Sequence, residues 1–315
     1  MLIYHNFCIN EGEKLRMDRC ITNNNKIHTA ERSFQCNKNN SEKSQCMLYS
    51  SGFKQEKTTI NVNGKVIGGK NLAIIAGPCA IDSEEQFYET AKEVEKAGAQ
   101  FLRGAIYKPR TSPYNFQGIG DRGLKILKNV KNYVNLAIIS EALDVAHLEK
   151  LAEVADIIQI GARNMHNFEL LKAVGQMRKP ILLKRGLCAT IQEWLMSAEY
   201  ILLGGNSQVI LCERGIRTFE TATRNTIDIS SVPIIKNLSH LPIIVDPSHG
   251  TGQGFLVEPM AKAAIAAGAD GLMVEVYISP ERAISDKDQT ISTEEFSRLV
   301  CSTRKVATAI GKVID

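Results

Sequence analysis

Eight short apolar runs recur along residues 72–275, and almost every one delivers a charged or metal-capable side chain at or just beyond its C-terminal end. They read LAIIA (72–76), AQFLR (99–103), LAIIS (136–140), DIIQI (156–160), PILLK (180–184), QVILC (208–212), PIIVD (242–246) and GLMVE (271–275). Each has the length of a strand buried on both faces, and stretches long enough for a helix lie between them. Eight strand–helix units predict an α/β chain folded as a closed (β/α)8 TIM barrel, whose chemistry sits on the loops at the C-terminal ends of the strands. The residues there are Cys79, Arg103, Lys108, Glu141, Arg163, Lys184, Arg214, Asp246, His249 and Glu275. Such a mouth belongs to an enzyme.

The spacing predicts helices near 121–133, 144–154, 166–177, 190–203, 219–226, 256–267 and 293–311, after one that opens at Ser83 and closes at Ala97-Gly98. Ahead of the barrel, residues 47–71 read as a linker and a β-hairpin turning on Asn63-Gly64, a candidate plug for the N-terminal mouth. Residues 1–46 are rich in Asn, Lys and Ser and read as a disordered tail, with Met17 an alternative start. Residues 72–315 form the catalytic barrel.

A formal net charge of +4 over 315 residues gives no case for nucleic acid or membrane. None of the eight cysteines forms a C-x-x-C pair, so neither a disulfide framework nor a zinc finger is indicated. With no basic and apolar leader, a cytoplasmic location is expected.

Two constellations carry chemistry. Cys79 follows the first run, His249 the seventh, and Glu275 ends the eighth with Asp286 in the loop beyond. Each alone has a bland reading, since a cysteine beside a strand is most often a small buried hydrophobe. Runs seven, eight and one are consecutive in a closed barrel, however, so all four can converge on a divalent metal ion, with Zn, Fe and Mn all compatible. The second constellation is cationic. Lys184 and Arg103 end apolar runs, where a buried cation requires an anion. Arg110, Arg163, Arg185 and Arg214 lie close by, which points to a ligand carrying phosphate and carboxylate. Lys108-Pro109-Arg110-Thr111-Ser112 is a candidate phosphate clamp. The Gly-rich turn at 250–254 lacks the P-loop and dinucleotide patterns, which argues against ATP and NAD.

The segments GPCAIDS (77–83), FLRGAIYKPRTSPYNFQGIG (101–120), IGARN (160–164), LLKRG (182–186), ILCERGIRTFE (210–220) and DPSHGTG (246–252) resemble class I 3-deoxy-7-phosphoheptulonate (DAHP) synthases. The similarity is to the short, barrel-only branch related to octulosonate 8-phosphate synthases, and it runs from Met47 to the C-terminus. It implies a metal-dependent transferase of the shikimate pathway, which condenses phosphoenolpyruvate with erythrose 4-phosphate. It further implies Cys79, His249, Glu275 and Asp286 as metal ligands, and Arg103, Lys108, Arg163, Lys184 and Arg214 as phosphoenolpyruvate-binding cations. Pro109, Arg110, Thr111 and Ser112 would receive the aldose phosphate, with Asp246 near that sugar. Glu141, Lys108 and a metal-bound water are candidates for proton transfer, and the sequence does not choose between them. A homotetramer is the corresponding expectation, and because the tail at 1–46 is too polar for a ferredoxin-like regulatory domain, no feedback inhibition by phenylalanine or tyrosine is expected. The competing readings are a 3-deoxy-octulosonate 8-phosphate synthase acting on arabinose 5-phosphate and a non-catalytic phosphosugar sensor. Lys108-Pro109-Arg110 favours the four-carbon sugar, because the five-carbon enzymes typically carry Lys-Ala-Asn-Arg.

Overall fold

A computed structural model describes residues 47–110 and 112–314. The tail at 1–46 and Thr111 lie outside the described residues. Two antiparallel strands, β1 (Ile60–Val62) and β2 (Lys65–Ile67), precede eight parallel ones. These are β3 (Ala73–Gly77), β4 (Phe101–Arg103), β5 (Ala137–Ala142), β6 (Ile157–Ile160), β7 (Ile181–Lys184), β8 (Val209–Glu213), β9 (Ile243–Val245) and β10 (Gly271–Glu275). They close into a barrel in chain order, with β10 pairing back onto β3 in five-residue register, as the eight apolar runs predict.

Every residue of the eight barrel strands is buried, because one face packs inward and the other against helices. Phe101, Ile139, Ile157, Leu182, Ile210, Cys212, Ile244 and Met273 fill the interior together with Ile60, Val62 and Ile67 from the hairpin. The hairpin therefore seals the barrel's lower end, as its sequence suggests. Asn63 (φ 53°) and Gly64 (φ 84°) both take positive φ, which a two-residue hairpin turn of this hand requires.

The helices are α1 (Glu84–Lys96), α2 (Arg122–Val130), α3 (Leu148–Val154), α4 (Phe168–Gly175), α5 (Ile191–Leu203), α6 (Ser231–Leu238), α7 (Pro247–Thr251), α8 (Gly254–Ala266) and α9 (Thr293–Ala309). Their starts follow local chemistry. Ser83 caps α1 by accepting from Gln86 N–H, and capping boxes Thr190/Glu193 and Ser292/Glu295 open α5 and α9.

One expected helix is absent. Residues 219–226 form an irregular loop, and the helix that follows β8 begins only at Ser231. Ile216 and Thr226 exchange backbone hydrogen bonds at 2.9 Å, and Glu220 Oε1 accepts from the N–H groups of Thr221 and Ala222 at 2.7 Å. Threonines and a glutamate that bond local backbone offer the chain an alternative to the helical ladder. The loop matters because it carries Arg224 to the mouth. Among the described residues, no helix is long and apolar enough to cross a membrane.

Candidate active site

Strand periodicity places the site. Side chains two apart share a face, so the inward-facing series Phe101, Ile139, Ile157, Leu182, Cys212, Ile244 and Met273 continues upward into Arg103, Glu141, Gln159, Lys184, Arg214, Asp246 and Glu275. A cavity opens above this layer. Arg103, Lys108, Pro109, Arg110, Glu141, Arg163, Lys184 and Arg214 all line it, beside Cys79, His249 and Asp286.

Cys79, His249, Glu275 and Asp286 each offer a ligand atom, and these atoms lie within 4.8 Å of one another. Cys79 Sγ is 3.4 Å from His249 Nε2, which is 3.6 Å from Glu275 Oε2. Ligands about 2.0–2.3 Å from one tetrahedral ion stand at roughly these separations. The surroundings are those of held ligands. Gln289 Nε2 donates to Glu275 Oε2 at 2.7 Å, Thr290 Oγ1 to Glu275 Oε1 at 3.2 Å, and Arg224 Nη1 to Asp286 Oδ1 at 2.9 Å. Asp246 Oδ2 lies 2.9 Å from His249 Nδ1, although without the alignment of a hydrogen bond, and its Oδ1 accepts from His249 N–H at 2.9 Å. The four residues fit a divalent ion.

Burial sets the protonation of the set. It pulls His249 down to about 3, so the imidazole is neutral and its lone pair available. Burial, followed by the neighbouring Glu275, pushes the Cys79 thiol up to about 11. Glu275 rises to about 7, through burial and Asp286 against the opposing pull of Arg103. Burial also opposes the charge on Asp286, but His249, Cys79 and Arg224 hold its carboxyl well below the usual range.

The cations are unevenly satisfied. Lys108 Nζ lies 2.8 Å from Cys79 Sγ, and Lys184 Nζ pairs with Asp246. Arg103 Nη1 is buried without a hydrogen-bond partner. Arg214, also buried, makes a long 3.4 Å contact to Gly215 O, and burial lowers its pKa. Guanidinium groups left this way in a cavity call for an anion.

Some sequence candidates stand elsewhere. Arg185 turns away from the mouth to Glu213 (2.9 Å) and Asp228 (2.8 Å), which neutralise it. Asp246 is fully buried beneath the cavity floor. Ser112 does not line the cavity, and its hydroxyl oxygen accepts from Tyr114 N–H at 3.3 Å.

Arg224, Gln159, Gly161 and Ala162 line the cavity but were not singled out by the sequence. Gln159 had a signal, as a lone polar residue inside an apolar run. Arg224 had none, because its loop reads as a helix surface.

A model of the DAHP synthetase I family matches residues 50–312. The chain belongs to the DAHP synthetase I family. Within that family, a phospho-2-dehydro-3-deoxyheptonate aldolase from Thermotoga maritima is 52% identical over 268 residues, spanning 85% of this chain and 79% of the relative. The crystal structure of the aldolase of that name from Thermotoga maritima superposes with a TM-score of 0.83 at 51% identity, covering 85% of this chain and 78% of that one. More distant is a 2-dehydro-3-deoxyphosphooctonate aldolase from Citrifermentans bemidjiense, 32% identical over 76% of this chain and 94% of the relative. The DAHP synthetase I family thus accounts for the barrel.

Proposed function

We infer that the chain is a 3-deoxy-7-phosphoheptulonate synthase, which condenses phosphoenolpyruvate with erythrose 4-phosphate and water and releases inorganic phosphate. The observation that carries this reading is the cavity itself, where under-satisfied guanidinium groups stand beside a four-residue metal set.

Arg103, Arg163, Lys184 and Arg214, with Lys108, hold the carboxylate and phosphate of phosphoenolpyruvate. Their charge orients its nucleophilic carbon toward the aldehyde, and positioning of this kind can contribute roughly 7 kcal/mol or more in favourable cases. Pro109 and Arg110, which line the cavity, receive the sugar phosphate. Asp246 keeps Lys184 and His249 in place from below. A divalent ion held by Cys79, His249, Glu275 and Asp286 would supply Lewis-acid polarisation of the aldehyde oxygen. Lys108 is held charged: burial opposes it, but Cys79 and Glu141 raise its pKa. Glu141, fixed by Gln159 Nε2 at 3.2 Å, is the partner for proton transfer.

The octulosonate reading rests on relatives near 30% identity, against 52% for the heptulonate enzyme. A sensor would need neither a metal set nor two anion clamps. The test is substrate competition: phosphate release from phosphoenolpyruvate should favour erythrose 4-phosphate over arabinose 5-phosphate by more than tenfold in kcat/KM. A preference for the five-carbon sugar overturns the reading.

A further inference from the structure

Asp286 has more partners than a metal ligand needs. Its Oδ1 accepts from Arg224 Nη1 at 2.9 Å, and its Oδ2 lies 3.8 Å from Arg110 Nη1. Both arginines line the cavity, while Asp286 is also one of the four ligand residues. A single carboxylate therefore serves as counter-ion to two cavity cations and as a donor to the metal set.

Arg224 is built into this position. Its N–H donates to Thr251 O at 2.9 Å, and its stem lies so close over Gly252 that a Cβ there would come within 2.4 Å of the Arg224 Cβ. The Nη1 that reaches Asp286 also donates to Gln289 Oε1 at 2.8 Å, and Gln289 in turn donates to Glu275. Arg224 is thus tied directly to one ligand residue and through Gln289 to a second.

We propose that the Arg110–Asp286–Arg224 arrangement couples loading of the divalent cation to binding of the anionic sugar phosphate, with Arg224 as the positioning residue. The proposal rests on the synthase reading of the cavity. Without a cation, the Asp286 carboxylate neutralises the two guanidinium groups and withholds them from another anion. A divalent cation drawing on the same carboxylate weakens both contacts, so each arginine offers more of its charge to a phosphate. Linkage makes the effect reciprocal: the sugar phosphate must tighten the cation by the same factor. Direct attraction between cation and phosphate would also tighten binding, but that part does not depend on Arg224.

The experiment measures Mn2+ affinity of the full chain from the free-ion electron paramagnetic resonance signal, with and without erythrose 4-phosphate and with no phosphoenolpyruvate present. In the wild type, the sugar phosphate should tighten Mn2+ by about fivefold or more. In Arg224→Ala, the tightening should shrink to under about twofold. The side chain is partly exposed on a loop, and Arg224→Gln repeats the comparison with a donor kept and the charge removed. Equal tightening in wild type and variants, or none in the wild type, overturns the coupling. A chain that turns over erythrose 4-phosphate yet shows no difference loses only this proposal. A chain that does not turn it over loses the synthase reading.

Discussion

Lys108 Nζ stands 2.8 Å from Cys79 Sγ and 3.2 Å from the Cys79 carbonyl oxygen, so the loop after β4 is fastened to a candidate metal-ligand residue delivered by β3. This ammonium opposes the burial that pushes the thiol up to about 11. Replacing Lys108 by Met removes that support. Metal affinity should fall about tenfold or more, within the range seen when an outer partner of a ligand is lost. Competition against a calibrated chelator measures it, and an unchanged affinity would show that Lys108 does not assist the thiolate.

Gly161 leaves room for Glu141. A Cβ at position 161 would lie 2.0 Å from Glu141 Oε1. Gly161→Ala should displace the carboxylate from Gln159, lower kcat at least tenfold, and cost about 1–3 kcal/mol of stability from overpacking. Phosphate-release kinetics and thermal melts separate the two effects. A variant with full kcat would remove Glu141 from the proposed proton-transfer role.

The metal set predicts a pH dependence. Burial raises Glu275 to about 7 in the metal-free protein, while metal binding needs the carboxylate. Affinity should therefore weaken as pH falls below 7, roughly tenfold between pH 8 and pH 6 from Glu275 alone. The sign of the stability effect is opposite in the metal-free chain. The folded state binds this proton more tightly than the unfolded one, so stability declines as pH rises from the ordinary carboxylate value through 7. Competition titrations and apo-protein melts across this window read both slopes, and a metal affinity flat from pH 6 to 8 would contradict the assignment.

Far from the mouth, Glu199 accepts from the backbone N–H groups of Leu48 and Tyr49 at 2.8 and 3.0 Å and is 5% exposed. Glu199→Ala strands two donors and should destabilise the fold by about 3 kcal/mol without changing kcat. Denaturant unfolding beside a turnover assay checks both halves of that statement.

The barrel was legible because of the two-residue period. Each apolar run identified a strand, and the next inward position beyond the core was the functional one: Phe101 leads to Arg103, Leu182 to Lys184, Met273 to Glu275. Cys79 and Asp286 lie in loops and His249 in the short helix α7, where the two-residue strand period places no side chain; the order of the runs around a closed barrel, together with the family resemblance, brought them to one site. Arg185 was misplaced because sequence adjacency to Lys184 says nothing of facing, and consecutive strand-end residues point to opposite sides. Arg224 was hidden by a segment in which Thr218 accepts from Glu220 N–H and Thr223 donates to Asn225 O, an effect of side-chain chemistry that a hydrophobic pattern does not register.

The most direct test of the account is phosphate release from phosphoenolpyruvate and erythrose 4-phosphate, measured on the untreated protein, after EDTA, and after Mn2+ is restored. The account predicts turnover that EDTA abolishes and Mn2+ returns, with no return in Cys79→Ala. Full turnover after EDTA, or in metal-supplied Cys79→Ala, would contradict it.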